Sequence, residues 1–279
     1  MDTGKTENPI VSQKAALRRE IKARIRDLDP SYVKRSDMAI ADRLLAMDAY
    51  RDAASVFCFV GTKSEVDTLP IIRRALSDGK TLSVPLCKGE RAPGKPGVME
   101  ARIINSLDDL KDSGMYGIIE PYGHCAAIAP ADIDLAVTPC LACGRDCLRL
   151  GKGGGYYDLF LGEMRRWRRA ALSTDPGPVP SPGADLGPAP SPGAKAGPAR
   201  SPGTDVGPAP SPGADPGPAP SPGAGTPDDG APRFPLAVAL CREALLCDSI
   251  PLEPWDLPMD CVVTEDAIYT RRPDRMRRV

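Results

Sequence analysis

The chain has 279 residues, 42% of them hydrophobic, and a formal net charge of −1. That composition suits a soluble globular protein of one or two domains. It removes the electrostatic case for nucleic acid or an anionic membrane as main partner, and no apolar run is long enough to span a bilayer.

Residues 1–11 are polar, lack the apolar core of a secretory signal and read as a short flexible tail. Ser12 to Asp27 carries Ala16, Leu17, Ile21 and Ile25 at helical spacing, with Ser12 placed to cap it. Ser36 to Met47 reads as a second helix, Ser55 to Val60 as an apolar strand, and Thr68 to Ser77 as a helix with Pro70 in its first turn. A strand over Thr81 to Pro85, a short helix over Leu107 to Lys111 and a buried strand over Ile133 to Thr138 follow. Tyr156 to Ala171 is helical, and Leu236 to Cys241 and Asp260 to Thr264 are strands. Strands that alternate with helices, and are too uniformly apolar for one-sided burial, predict an α/β fold. Its form is a three-layer, open, mostly parallel sheet with helices on both faces.

A ten-residue repeat interrupts this order. From Ser181 the chain runs SPGADLGPAP, SPGAKAGPAR, SPGTDVGPAP and SPGADPGPAP. Frequent proline and small side chains can neither pair as strands nor build a core, so residues 174–232 read as a disordered Pro/Gly-rich insertion. Its removal leaves about 220 residues, a comfortable single domain. The piece after it is too short for its own core. Residues 12–173 and 233–270 should therefore form one domain, ahead of a basic tail over 271–279. A loop this long adds only about 2 kcal/mol of closure entropy over a short connection.

Nine cysteines, an odd number without a secretory signal, read as free thiols in a reducing, cytoplasmic setting. Cys140, Cys143 and Cys147 form a C-x2-C-x3-C run. It has no neighbouring histidine and no second C-x2-C pair, so small apolar packing residues are expected there. His124 is the single histidine, in a turn-like Tyr-Gly-His-Cys stretch, which leaves little room for a histidine-based nucleophilic triad.

Arg149-Leu150-Gly151-Lys152-Gly153-Gly154-Gly155-Tyr156-Tyr157-Asp158 carries the sharpest chemical signal. Its glycines let the backbone approach a ligand, a helix N-terminus follows, and Lys152 and Arg149 supply countercharge for phosphate. The spacing fits neither a Walker A loop nor a dinucleotide fingerprint. Lys14 and Arg18 share one helix face. Gly61 to Thr68 follows a strand, where open α/β sheets bind ligands. Glu253 to Asp260 offers carboxylates of the kind that hold Mg2+ beside phosphate.

In order, Lys14 to Arg18, Glu65 to Thr68, Gly117 to Pro121, Asp134 to Pro139, Arg149 to Asp158 and Glu253 to Asp260 resemble the 5-formyltetrahydrofolate cyclo-ligase family. The resemblance covers nearly everything outside the tails and the repeat. It implies ATP-dependent cyclisation of 5-formyltetrahydrofolate to 5,10-methenyltetrahydrofolate, with Mg2+, by a cytoplasmic monomer. By position it assigns ATP to Lys14, Arg18, Arg149, Leu150, Gly151, Lys152, Gly153, Gly154, Gly155, Tyr156 and Tyr157. It assigns the folate to Val60, Glu65 and the stretch Lys152 to Tyr156, and Mg2+ to Asp158 and Asp260. Cys140 and Cys143 stand where the family commonly has a glycine and an aromatic. Leu159, Ala244 and Trp255 replace a frequent basic residue, glutamine and histidine. A binding protein without turnover would have lost charged residues, whereas Lys14, Arg18, Arg149, Asp158 and Asp260 are all present.

Overall fold

The computed structural model describes residues 9–88, 97–111, 118–172 and 236–271. The insertion and the tail expected over 271–279 lie, apart from Arg271, outside them.

The elements in chain order are α1 (Pro9–Asp27), α2 (Pro30–Leu45), α3 (Asp48–Asp52), β1 (Ser55–Cys58), α4 (Leu69–Ser77), β2 (Thr81–Lys88) and β3 (Val98–Ile104). Then come β4 (Leu110–Lys111), β5 (Glu120–Pro121), β6 (Ala127–Ile128), β7 (Leu135–Thr138), β8 (Ala142–Gly144) and β9 (Arg149–Leu150). The chain ends with α5 (Tyr156–Leu172), β10 (Leu236–Leu240), β11 (Leu246–Cys247), β12 (Cys261–Val263) and β13 (Ile268–Thr270).

Eight strands form the main sheet in the order β13-β12-β10-β7-β1-β2-β3-β6. The five from β12 to β2 are parallel, and antiparallel strands close both sides. β10, which follows the repeat, pairs with β7, which precedes it, from Leu236↔Leu135 to Ala239↔Thr138. The two flanks thus build one sheet.

The apolar strands explain the three layers. Val56, Cys58, Leu135, Val137, Val238 and Leu240 meet Ile40, Leu44, Ile71 and Ile72 of α2 and α4 on one face. The alternate residues Phe57, Ala136, Ala237 and Ala239 meet Ile21, Phe160, Leu161 and Met164 of α1 and α5 on the other. A period of two, apolar at both phases, buries a strand from both sides.

Local departures have local causes. α1 begins at Pro9, so Ser12 lies inside the helix and residues 9–11 are not a tail. α2 starts at Pro30 under Asp29, whose carboxylate accepts from Ser31 N and Tyr32 N, well before the predicted Ser36. The stretch predicted as a helix at Leu107–Lys111 is a 3-10 turn over Leu107–Asp109, capped by Ser106, followed by β4. β3, β8, β9 and β13 were not anticipated.

Candidate active site

β1 sits between β2 and β7, so the chain leaves its carboxyl end in one direction and returns on the other side. That reversal opens a crevice above the strand tips, where open α/β sheets take ligands. A cavity of about 920 Å³ lies there.

One wall is the loop after β1. Thr68 Oγ1 donates to Phe59 O at 2.6 Å and accepts from Gly61 N at 3.0 Å, closing the loop on itself. A Cβ on Gly61 would stand 2.2 Å from Val66 O, so only glycine permits this closure. Glu65, buried, accepts from Thr62 N at 3.0 Å and Thr62 Oγ1 at 2.8 Å. Its other oxygen lies 2.7 Å from Lys152 Nζ.

The facing wall is the glycine loop ahead of α5. Gly153 and Gly155 have φ of +94° and +74°, values that side chains other than glycine's rarely adopt. Arg18 Nε on α1 donates to Gly151 O at 2.9 Å and has no carboxylate partner among the described residues. The Arg149 side chain, 4% exposed, reaches Pro139 O at 3.2 Å and Asp158 Oδ1 at 2.5 Å. It also lies over the Tyr157 ring, 5.7 Å from the centroid. Burial, above all, pushes the Tyr157 hydroxyl well above its ordinary pKa, so it stays protonated.

Lys14 forms the floor. Buried on α1, it lies 2.7 Å from Glu253 and pairs also with Asp256, whose carboxylate accepts from Glu253 N at 2.7 Å. Its charge is thus held by two carboxylates rather than left free for polyphosphate.

Lys14, Arg18, Val60, Glu65, every residue from Arg149 to Tyr157, and Asp158 line this one cavity. Asp260 does not. It precedes β12 at the amino edge of the parallel strands, opposite the cleft, where its carboxylate accepts from Ala237 N at 2.9 Å. Asp256, four residues earlier, is the carboxylate of that segment in the cleft. Leu159, Ala244 and Trp255 also lie outside the lining. Sequence reasoning gave no role to Phe59 or Met99, which come from elements with no chemical signature of their own. Ile119, Glu120 and Asp256 lie in the Gly117–Pro121 and Glu253–Asp260 stretches on which the resemblance rests, where Asp260 rather than Asp256 was assigned to the metal.

Cys143 and Cys147 are fully buried in the α1/α5-side core and Cys140 packs against it, as expected. Cys241 joins Cys140 and Cys143, their sulfur atoms all within 4.8 Å of one another. Hydrogen bonding from Cys143 and Cys241 draws the Cys140 thiol well below its ordinary pKa. Burial raises Cys143, and the bond to Cys140 raises Cys241. His124 is exposed and stacks on Tyr122, far from any nucleophilic role.

A family model described as the 5-formyltetrahydrofolate cyclo-ligase family matches residues 10–174. The chain is 31% identical over 167 residues to a 5-formyltetrahydrofolate cyclo-ligase of Arabidopsis thaliana, named as mitochondrial. That match covers 54% of this chain and 58% of the relative's length. It is 28% identical over 155 residues to the 5-formyltetrahydrofolate cyclo-ligase of Mus musculus, covering 54% of this chain and 74% of the other. In fold it resembles the 5,10-methenyltetrahydrofolate synthetase of Aquifex aeolicus, with TM-score 0.59 at 19% identity over 95% of this chain and 96% of that one.

Proposed function

The chain belongs to the 5-formyltetrahydrofolate cyclo-ligase family, and from that premise we propose that it cyclises 5-formyltetrahydrofolate to 5,10-methenyltetrahydrofolate, converting ATP to ADP and phosphate. One observation carries the reading. A single cavity of about 920 Å³ joins a glycine-rich helix start, with its cations, to an apolar wall that includes Val60, Met99 and Tyr156. That volume is at the upper end for small-molecule sites, room for a nucleotide and a pterin together.

In this reading the backbone N–H groups of Gly151 to Gly155 and the positive end of α5 receive the phosphates, with Arg18 as the cation free to pair with them. The loop after β1, with Val60 and Glu65, faces the folate. Asp158 fits a Mg2+ ion carried on the phosphates, having a side chain 35% exposed at the cleft. When bound, Mg2+ would neutralise charge developing on the transferred group. Asp260 takes no part in this proposal.

The N5-formyl oxygen takes the γ-phosphoryl group as its bond to the ADP oxygen breaks. The activated formyl carbon is then attacked by N10. Phosphate leaves with the formyl oxygen, the N10 proton is lost, and the bridged product remains. No covalent enzyme intermediate is needed. The residues position the two substrates, Lys152 ties the two walls together through Glu65, and Arg149 fixes the start of α5 through Asp158. Nine free thiols fit a reducing, cytoplasmic setting. The test is purified protein with 5-formyltetrahydrofolate and Mg·ATP. The near-ultraviolet chromophore of the methenyl product should grow with ATP and stay flat without it. A flat trace with ATP from folded protein refutes the proposal.

A further inference from the structure

We propose that Cys140, Cys143 and Cys241 form a binding site for a zinc-class thiophilic divalent ion in the wall of the cleft. Their sulfur atoms lie within 4.8 Å of one another. Zinc–thiolate bonds of about 2.3 Å set tetrahedral sulfurs about 3.8 Å apart, so the ion needs only a small contraction. The convergence is built by the sheet. Cys140 follows β7 and Cys241 follows β10, adjacent parallel strands in fixed register, while Cys143 lies on β8. Cys140 Sγ is 3.1 Å from Leu240 O, on the strand that leads into Cys241.

Two independent features point to a bound group. Arg149 and Arg242 each have a buried Nε without a hydrogen-bond partner. Arg242 adjoins Cys241, and Arg149 reaches the carbonyl of Pro139, next to Cys140. Three thiolates on a dication leave one negative charge, and although Arg149 and Arg242 are ion-paired with Asp158 and Asp37 through their terminal nitrogens, the Nε of each still has an unmet donor. Beside Cys140 and Cys241 lies a cavity of about 10 Å³, close to the size of one water. Three protein ligands with a water in the fourth position is a familiar zinc arrangement. All-sulfur donors exclude Mg2+ and favour zinc or softer ions. Binding releases the three thiol protons to solvent, and no electron is transferred. The site does not depend on the folate reading.

The test is a titration of the reduced, chelator-treated full chain with Cd2+, following thiolate-to-metal charge-transfer absorption, then displacement by Zn2+. Saturation at one ion per chain is expected. Cys140→Ser, Cys143→Ser and Cys241→Ser should each weaken binding by more than the roughly 10–100-fold typical of losing a group that merely supports a ligand. Cys247→Ser should leave it unchanged. A folded, reduced wild-type chain without the charge-transfer band overturns the proposal with no variant needed. So does a band that persists at full strength in the half-buried Cys140→Ser variant.

Discussion

Lys152 Nζ lies 2.7 Å from the Glu65 carboxylate, which ties the glycine loop to the loop after β1 across the mouth of the cleft. Lys152 is partly exposed while Glu65 is almost fully buried, so the contact serves alignment more than stability. Glu65→Gln should keep the fold and raise the KM for 5-formyltetrahydrofolate by roughly tenfold, the effect of one charge-assisted contact. Steady-state kinetics with the folate varied at saturating ATP checks it. An unchanged KM would place the folate elsewhere.

Arg149 bridges Pro139 O and Asp158 from a nearly buried position. Lysine has no planar fork and cannot make both contacts. Arg149→Lys should lower kcat/KM by about 100-fold while melting within a few degrees of the wild type. Thermal melts beside the kinetics separate lost geometry from lost fold.

Gly153 and Gly79 form a matched pair, with φ of +94° and +70°. Alanine at either should destabilise by about 1–2 kcal/mol. Only at Gly153 would the new Cβ stand 3.4 Å from the Arg18 guanidinium, whereas at Gly79 nothing lies within 4 Å. Gly153→Ala should therefore raise the KM for ATP, and Gly79→Ala should not.

Lys14, with its side chain 6% exposed, neutralises Glu253 and Asp256. Lys14→Met leaves the buried Glu253 and half-buried Asp256 carboxylates without their cation and should cost about 3 kcal/mol in urea unfolding. Adding Glu253→Gln and Asp256→Asn should restore part of it. If Lys14→Met alone is neutral, the pair is not the floor of the site.

Deletion of residues 174–232 should leave turnover within a few-fold of the full chain. β7 and β10 pair directly, and loop closure depends weakly on length. Inactivity in a folded deletion variant would give the repeat a part in the site.

Much of the site was legible because its chemistry is local. The Arg149–Asp158 run needs only its own glycines and the helix that follows to present its backbone to a cleft, and every residue of it lines that cleft. The parallel strands were legible because burial from both sides leaves near-continuous apolar runs such as Leu135–Val137. β3 and β13, at the sides of the sheet, were not. Their half-exposed patterns resemble loops, and strand identity there comes from the partner that pairs with them.

Only the tertiary structure could separate Asp256 from Asp260. Both sit in one short acidic segment, and the register of β12 sends Asp260 to the amino edge while the preceding turn aims Asp256 at Lys14. Cys241 joins Cys140 and Cys143 for the same reason: parallel strands carry distant residues to one edge, a relationship that no local spacing encodes. By itself the sequence determined the layers, the glycine loop and the family, which rest on neighbours in the chain. The cleft's second wall, its buried ion pairs and its sulfur cluster were decided by strand order, which is set by packing between residues far apart in sequence.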